Sequence, residues 1–177
     1  MTSRIDDFKA AFASGFAQAN RYKVMFPTDG LLGRGGSNAR TLSIMCDKVS
    51  IPGRQLSTEE RFTTMKAQKM PYSFAHEDLS ISFIVDNDWT PWDYINTWQS
   101  QIIYNVSGLN SYTLNYQNEY ARDIEVQHLD TQNNITKQIL FKKAYPTTLN
   151  AVELGNSNGN EVIRVDAEFS YHNWENM

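Results

Sequence analysis

Residue types that bind metals or act as nucleophiles are few and widely spaced in this sequence of 177 residues. The three histidines, His76, His128 and His172, lie far apart, and none has a second His or Cys at metal-ligand spacing. The single cysteine, Cys46, has no partner for an internal disulfide and no evident base beside it. We therefore expect Cys46 to be a buried structural thiol on a strand, and we expect no metal centre.

The acidic run Asp86-Asn87-Asp88 resembles the opening of a calcium-binding loop. Such a loop needs glycine at its sixth position and glutamate at its twelfth, where this chain has Pro91 and Thr97. The carboxylates fit the start of a helix better, because anionic side chains are favourable near its amides.

Other patterns of catalytic residues are also incomplete. The carboxylate pairs Glu59-Glu60 and Asp6-Asp7 are adjacent, which on a strand places the two side chains on opposite faces. The glycine-rich residues 33–36 lack the Lys-Ser/Thr that follows a phosphate-binding loop, and no Gly-x-Ser-x-Gly motif occurs. The sequence thus predicts a protein that is not an enzyme and needs no cofactor.

The composition gives no indication of nucleic-acid binding or of insertion in a membrane. The formal net charge of −4, with scattered basic residues, gives no indication of a nucleic-acid-binding surface. No secretory signal or apolar run long enough to span a membrane is evident, so we expect a chain made in a reducing cytoplasm and not inserted in a membrane. The length fits one domain over residues 1–177.

The element around which the chain is organised is the strand and helix at 79–103. Leu79, Ile81 and Phe83 alternate with serines, which is typical of a half-buried strand. The following Thr90-Pro91-Trp92-Asp93 predicts a capped helix start, with Thr90 accepting from free amides and Asp93 in the first turn. Aromatic and aliphatic residues then recur at helical spacing, so the helix covers a sheet.

Alternating patterns predict further strands at 21–26, 41–51, 121–129 and 135–145, and a long closing strand within 161–174. Residues 1–20 form an N-terminal arm or short helix, 47–70 an extended loop or hairpin, and 104–119 a loop. The predicted fold class is mainly β, a β-sandwich or open barrel of two antiparallel sheets, with one central α-helix and a possible short N-terminal helix.

Short motifs in order along the chain support a family assignment. They are residues 8–15, Asn20-Arg21-Tyr22-Lys23-Val24, Cys46-Asp47-Lys48-Val49-Ser50-Ile51-Pro52-Gly53, Asn87-Asp88, Trp98-Gln99, Tyr120-Ala121-Arg122-Asp123, Ala144-Tyr145-Pro146-Thr147 and the closing residues 161–174. Together they resemble the tail tube proteins of contractile-tailed bacteriophages, a family related to type VI secretion tube proteins, over nearly the whole chain.

The resemblance implies a phage tail tube-like fold whose homo-hexameric rings stack into the inner tube of the virion tail. The implied partners are the tail sheath protein, the baseplate or tube initiator, the tape measure protein and the tube terminator. Genomic DNA would pass through the lumen without specific binding. Two candidate sets of residues follow. The first would make inter-ring contacts: Lys48, Ile51, Arg54, Glu59, Glu60 and Arg61. The second would supply polar positions facing the lumen or a neighbouring subunit: Ser80, Ser82, Asp166 and Glu168.

Two alternatives remain open from the sequence. A tube protein of a phage-like injection or type VI secretion machine would share the fold but carry effectors. A monomeric glycan-binding β-sandwich would use exposed aromatic residues as stacking platforms. Trp92 and Trp98 lie at core-facing helix positions, which favours a role in the core.

Overall fold

The computed structural model of the chain describes residues 4–12, 15–28, 37–62, 67–106, 111–155 and 162–177. The glycine-rich residues 33–36 therefore lie outside the described residues. The described elements, in chain order, are α1 (Arg4–Ala11), β1 (Tyr22–Met25), α2 (Ser37–Met45), β2 (Cys46–Ser50), β3 (Arg54–Phe62), β4 (Ala67–His76), β5 (Leu79–Ile84), α3 (Thr90–Ile102), β6 (Ile103–Val106), β7 (Ser111–Leu114), α4 (Gln117–Tyr120), β8 (Arg122–Leu129), β9 (Ile135–Leu149), β10 (Arg164–Ser170) and β11 (Asn173–Asn176).

Seven strands form one antiparallel sheet in the order β1-β8-β9-β10-β5-β2, with β11 added beside β9. Strand β9 belongs to both halves of this sheet: its first part pairs with β8 and β11, and its last part pairs with β10. Between these parts lies Lys143, whose φ of 53° is left-handed and turns the strand. Its amide donates to Asp123 Oδ1 at 2.9 Å.

The bend folds the two halves of the sheet over each other. At the open side, the Tyr22 hydroxyl on edge strand β1 donates to the Cys46 carbonyl oxygen on edge strand β2 at 3.2 Å. The sheet is therefore an open barrel in which a side-chain hydrogen bond joins the two edge strands. The predicted mainly β class is confirmed.

The core lies between the two halves and is completed by α3 and α2. Alternate residues of the strands supply Val24, Leu79, Ile81, Phe83, Ile124, Val126, Ile139, Phe141, Ala167 and Phe169. Trp98 of α3 is fully buried, with its ring centroid 5.9 Å from that of Phe169, and its Nε1 donates to the Tyr120 carbonyl oxygen at 2.7 Å. Truncating such a side chain costs about 3–5 kcal/mol, so α3 is a structural part of the core.

Four boundaries differ from the sequence prediction. Residues 37–45 form a helix where a strand was predicted from residue 41. Buried Ala39 and Leu42 are spaced for a helix that packs on β1 and α3, which leaves Ile44 78% exposed. Residues 104–119, predicted as a loop, contain the β6–β7 hairpin and α4.

Strand β9 also continues through Pro146, where a stop was predicted, because Pro146 faces Phe169 at a register shift. The predicted single closing strand is broken after Ser170. Strands β10 and β11 follow the two differently directed parts of β9, so the chain must change direction between them.

Candidate assembly surfaces

Asp86 lies at the start of α3, where its carboxylate was predicted, whereas Thr90 donates there and does not accept as predicted. Asp86 Oδ1 accepts from the Thr90 amide, and its Oδ2 accepts from the Thr90 hydroxyl, both at 2.7 Å. These bonds lower the pKa of the Asp86 carboxyl, the Thr90 hydroxyl bond contributing most. Trp89 precedes the helix with a φ of 55°, and its side chain makes no hydrogen bond to the amides at the helix start. Asp93 lies in the first turn, where it was predicted.

The four residues proposed for a lumen or subunit interface lie together on the outer face of the sheet. Ser82 pairs with Asp166 across β5 and β10, and Ser80 pairs with Glu168. The Ser82 hydroxyl donates to Asp166 Oδ1. Directly opposed side chains share a face, so these residues form one polar patch on the side of the sheet away from the core. We call it the polar face.

Lys48 belongs to the polar face and not to the hairpin with which it was grouped. It lies on β2 opposite Ser82, on the other side of β5 from Asp166. Close by, Arg164 Nε and Asp47 Oδ2 form an exposed ion pair at 2.8 Å. The polar face therefore carries both signs of charge: Ser80 and Ser82 of β5 lie in the middle, with the carboxylates of β10 on one side and Lys48 of β2 on the other.

The β3–β4 hairpin holds most of the other predicted contact residues. Glu59, Glu60 and Arg61 lie on the outer part of β3, and all three are exposed. Arg54 lies at its base, where its guanidinium is 5.0 Å from the Trp174 ring centroid, a distance typical of a cation–π contact. Ile51 precedes the hairpin and is 54% exposed.

The structure also reveals an apolar face of this hairpin that sequence reasoning missed. Leu56 on β3 lies opposite Phe74 on β4, so these two apolar side chains share one face. A register shift at Tyr72 places Met70 opposite Glu59, on the other face of the ribbon. The exposed fractions of Leu56, Phe74, Tyr72 and Met70 are 59%, 62%, 69% and 42%. The available signal was the run of apolar residues at 70, 72 and 74, which Pro71 obscured by suggesting an irregular segment.

The base of the hairpin is fixed to the body by aromatic rings in tilted and edge-to-face contact. The His76 ring centroid lies 5.8 Å from that of Tyr171 and 6.5 Å from that of Trp174. The Tyr171 hydroxyl donates to the Glu77 carbonyl oxygen at 2.8 Å. The ribbon thus has a defined anchorage on β10 and β11, while its outer part projects into solvent.

Two further apolar groups are exposed. Every described residue of α1 is exposed, and the rings of Phe8, Phe12 and Phe16 stack in series with centroid distances of 4.8 and 4.6 Å. The second group consists of Tyr112, Leu114 and Tyr116, whose exposed fractions lie between 69% and 84%. Large exposed apolar groups of this kind mark contacts with other molecules.

The residues considered as possible nucleophiles or metal ligands make structural contacts. Cys46 is half-buried, and burial raises the pKa of its thiol to about 11. Burial and the neighbouring Cys46 raise the pKa of Tyr22 to about 12. His128 Nδ1 shares a hydrogen bond of 2.7 Å with Thr136 Oγ1. Across the described ranges, no group of three or more His, Cys, Asp or Glu side chains is arranged to hold a metal ion.

Among the helices described here, none combines the length and apolar character that crossing a membrane requires.

The fold is shared with chains of contractile injection machines. A chain of the anti-feeding prophage baseplate superposes with a TM-score of 0.65 at 12% identity, covering 93% of this chain and 97% of that one. A chain of the PVC sheath–tube complex, from an extracellular contractile injection system, superposes with a TM-score of 0.58 at 12% identity, covering 100% and 99%. At such identities the similarity concerns the fold alone.

Family membership rests on the sequence. The family model described as phage tail tube protein matches residues 17–177. The chain therefore belongs to the phage tail tube protein family, as the order of its motifs suggested. Curated protein sequences, by contrast, give no significant match to this chain.

Proposed function

We propose that this chain is the protomer of the inner tube of a contractile phage tail. Six copies close a ring, rings stack into a tube, and the tube is the conduit through which DNA enters the host. The role is structural and involves no catalysis. The observation that carries this proposal is the β3–β4 hairpin, whose apolar face has no cover within the described protomer.

The energetics of an isolated ribbon support this assignment. A two-stranded hairpin by itself is at best marginally stable in water, and a third surface is needed to bury its apolar face. Among the described residues, the ring contacts that fix this hairpin to the body lie at its base, and eight of the nine residues of β3 are exposed. Contact with an adjacent ring would bury Leu56 and Phe74 and stabilise the ribbon.

The polar face suits the wall of a DNA conduit. Basic side chains bind DNA through release of counterions, so a wall rich in lysine would retain it. Here Asp166 and Glu168 lie beside Ser82 and Ser80, Lys48 is the basic residue on the other side, and Arg164 is paired with Asp47, in a chain of net charge −4. We assign this face to the lumen, where it lets DNA slide without adhering.

Ring closure would also satisfy the sheet edges. Strands β1 and β2 end the strand order, and β11 is added at a further edge. Exposed edges favour pairing with another chain, and a barrel shared between subunits removes them. The partners we propose are the tail sheath, the baseplate or tube initiator, the tape measure protein and the tube terminator. Assembly would take place in the host cytoplasm, and the product is part of the virion.

A pair of variants tests the hairpin contact. Leu56→Ser with Phe74→Ser removes the apolar face, and we expect folded protomers that do not stack, because the buried apolar area is lost. Gln55→Ser with Ala75→Ser is the matched variant, since these exposed residues oppose each other on the other face of the ribbon. We expect it to retain stacking. Negative-stain microscopy and sedimentation velocity measure tube length and particle mass.

The reverse pattern would transfer the contact to the opposite face of the ribbon, which carries Glu59 and Arg61. Normal tubes from both variants would exclude the hairpin as the stacking element. Circular dichroism and the melting temperature establish that each variant protomer is folded.

An effector-carrying tube of an injection machine is a second candidate, favoured by the fold shared with chains of extracellular contractile injection systems. Nucleic acid inside particles purified from producing cells would support the phage tail, and protein cargo without nucleic acid would support the injection machine. A glycan-binding module is less well supported, because all four tryptophans are buried or half-buried.

A further inference from the structure

An apolar groove opens beside the base of the β3–β4 hairpin. Its volume is about 510 Å³, and its walls include Ile51, Val126, Ile139 and Trp174, with His128 and Lys137 among the polar lining residues. Val126 and Ile139 are otherwise core residues of β8 and β9, so the groove is an opening towards the core. Trp174 also contacts Arg54 and His76 at the hairpin base. The groove and the apolar face of the hairpin therefore adjoin through this ring cluster.

A matching apolar ridge lies at the N-terminal side of the chain. We use the term aromatic ridge for the stacked rings of Phe8, Phe12 and Phe16, whose exposed fractions are 57%, 42% and 68%. Ile5 precedes Phe8 by three residues and lies on the same side of α1. Such a surface is unfavourable in water and indicates burial against another molecule.

The size and charge of the two surfaces correspond. A cavity of about 150 Å³ holds one benzene molecule, so a groove of this volume admits two or more phenyl rings. The first turn of α1 carries Asp6 and Asp7, whereas the groove is bordered by the cation Lys137. Opposite charges at the border of an apolar contact fix its orientation and suppress wrong partners.

The ridge belongs to another copy of the chain and not to the protomer that forms the groove. Ala17 lines the groove, and Phe16, directly before it, is stacked on Phe12. The ridge thus begins one residue from the groove of its own protomer, and its rings are exposed there. Placing Phe8 and Phe12 in that groove would require the stack to break. A neighbouring protomer can insert the intact stack.

We propose that the aromatic ridge of one protomer docks into the groove of a neighbouring protomer, forming a second assembly contact beside the hairpin. This inference rests on the proposed function, because it assigns a surface within the same assembly. It specifies an occupant for the groove and gives Ile51 a contact with the ridge, where the sequence had suggested only a general inter-ring role.

Site-specific cross-linking tests the contact in the assembled protein. In a Cys46→Ser background, protein carrying Lys9→Cys beside the ridge is mixed with a larger tagged form carrying Lys137→Cys at the groove. A short bismaleimide should then join the two forms into a heterodimer. The matched control replaces Lys137→Cys by Glu153→Cys, an exposed position outside the groove lining, and should give several times less product.

A second measurement removes the ridge. Adding Phe8→Ser and Phe12→Ser should abolish the cross-link without unfolding the protomer, because these residues are exposed in it. Ala10→Ser, on another side of α1, should leave it intact. Tubes that form without a Lys9→Cys to Lys137→Cys heterodimer would overturn the ridge contact while leaving the proposed function standing. A further chain that carries both Lys9→Cys and Lys137→Cys tests docking within one protomer, and a cross-link found only inside that chain would also overturn the ridge contact. Absence of any assembly by the unmodified protein would count against both proposals.

Discussion

Single side chains determine where the elements of this protein begin and turn. Asp86 holds the first turn of α3 by accepting two hydrogen bonds from Thr90. Lys143 turns β9 by adopting φ 53°, and the Asp123 carboxylate stabilises that turn by accepting from the Lys143 amide. In both cases a carboxylate accepts a hydrogen bond from a backbone amide. Asp86 lies one turn before Thr90, and Asp123 lies on the strand next to Lys143. They act on the shape of the protomer, and through it on the surfaces that meet in an assembly.

At this scale we predict a pH-dependent role for Asp86. Asp86→Ala should lower the free energy of unfolding by about 1 kcal/mol at neutral pH, because the amide acceptor at the helix start is lost. The folded-state pKa of Asp86 is lowered, so its ionised form contributes stability above the unfolded pKa of about 3.9. That contribution disappears as the pH falls through the folded pKa. Urea denaturation between pH 7 and pH 3 measures the difference from the unmodified protein.

Asp88→Ala is the control, since Asp88 is an exposed carboxylate in the same turn. It should have little effect at any pH in this range. Equal losses for both variants, or a loss at Asp86 that does not diminish in acid, would contradict the assigned role.

At the residue scale, the sequence was a poor guide to the roles of individual side chains. Thr90 fitted the pattern of a capping residue, but its hydroxyl donates to Asp86 instead of accepting from free amides. Spacing alone could not distinguish these arrangements, because both place a hydroxyl and a carboxylate near the same helix start. Lys48 was grouped with Glu59 by closeness in sequence, whereas strand pairing places it opposite Ser82.

At the scale of elements, strands with clean alternation were predictable and elements that depend on tertiary contacts were not. Strand β8 follows its pattern of Ile124 and Val126 closely. Helix α2 was predicted as a strand because Leu42, Ile44 and Cys46 alternate. Its buried residues are set instead by packing on β1 and α3. The break between β10 and β11 follows from the bend in β9, which no local pattern in residues 161–174 records.

The bend in β9 gives the prediction at this scale. Lys143→Val should lower the free energy of unfolding by about 1–2 kcal/mol, because a β-branched residue is disfavoured at positive φ. Lys143→Gly should be neutral or slightly stabilising, since glycine adopts this conformation without steric cost. Urea denaturation of both variants gives the comparison, with Lys142→Val as the control in ordinary strand geometry. If the glycine variant were as destabilised as the valine variant, backbone strain at Lys143 would not be the cause.

At the scale of the whole molecule, the fold and the family were accessible from the sequence, and the assembly surfaces were not. The mainly β class and the tail tube resemblance rest on patterns distributed along nearly the entire chain, so local errors do not change them. The exposed apolar faces, in contrast, could not be recognised from patterns along the chain. An apolar residue that is buried in the core and one reserved for a neighbour have the same sequence pattern. The sequence therefore did not distinguish Leu56, Met70 and Tyr72 from core residues, and their exposed fractions in the structure did.

Three outer surfaces of the protomer have a place in the proposed tube. The hairpin reaches the adjacent ring, the aromatic ridge enters a neighbouring groove, and the polar face lines the lumen. These three surfaces lie on separate elements, α1, the β3–β4 ribbon and the β5–β10 pair. A protomer can therefore make all three contacts at the same time.

Electron cryomicroscopy of the purified protein, alone at high concentration and with its baseplate, tests the central claim most directly. We predict stacked rings of six copies, with Leu56 and Phe74 buried between rings and Asp166 and Glu168 facing the lumen. Particles that remain monomeric under both conditions would contradict the tube assignment. Rings whose lumen is lined by another surface would contradict the role of the polar face.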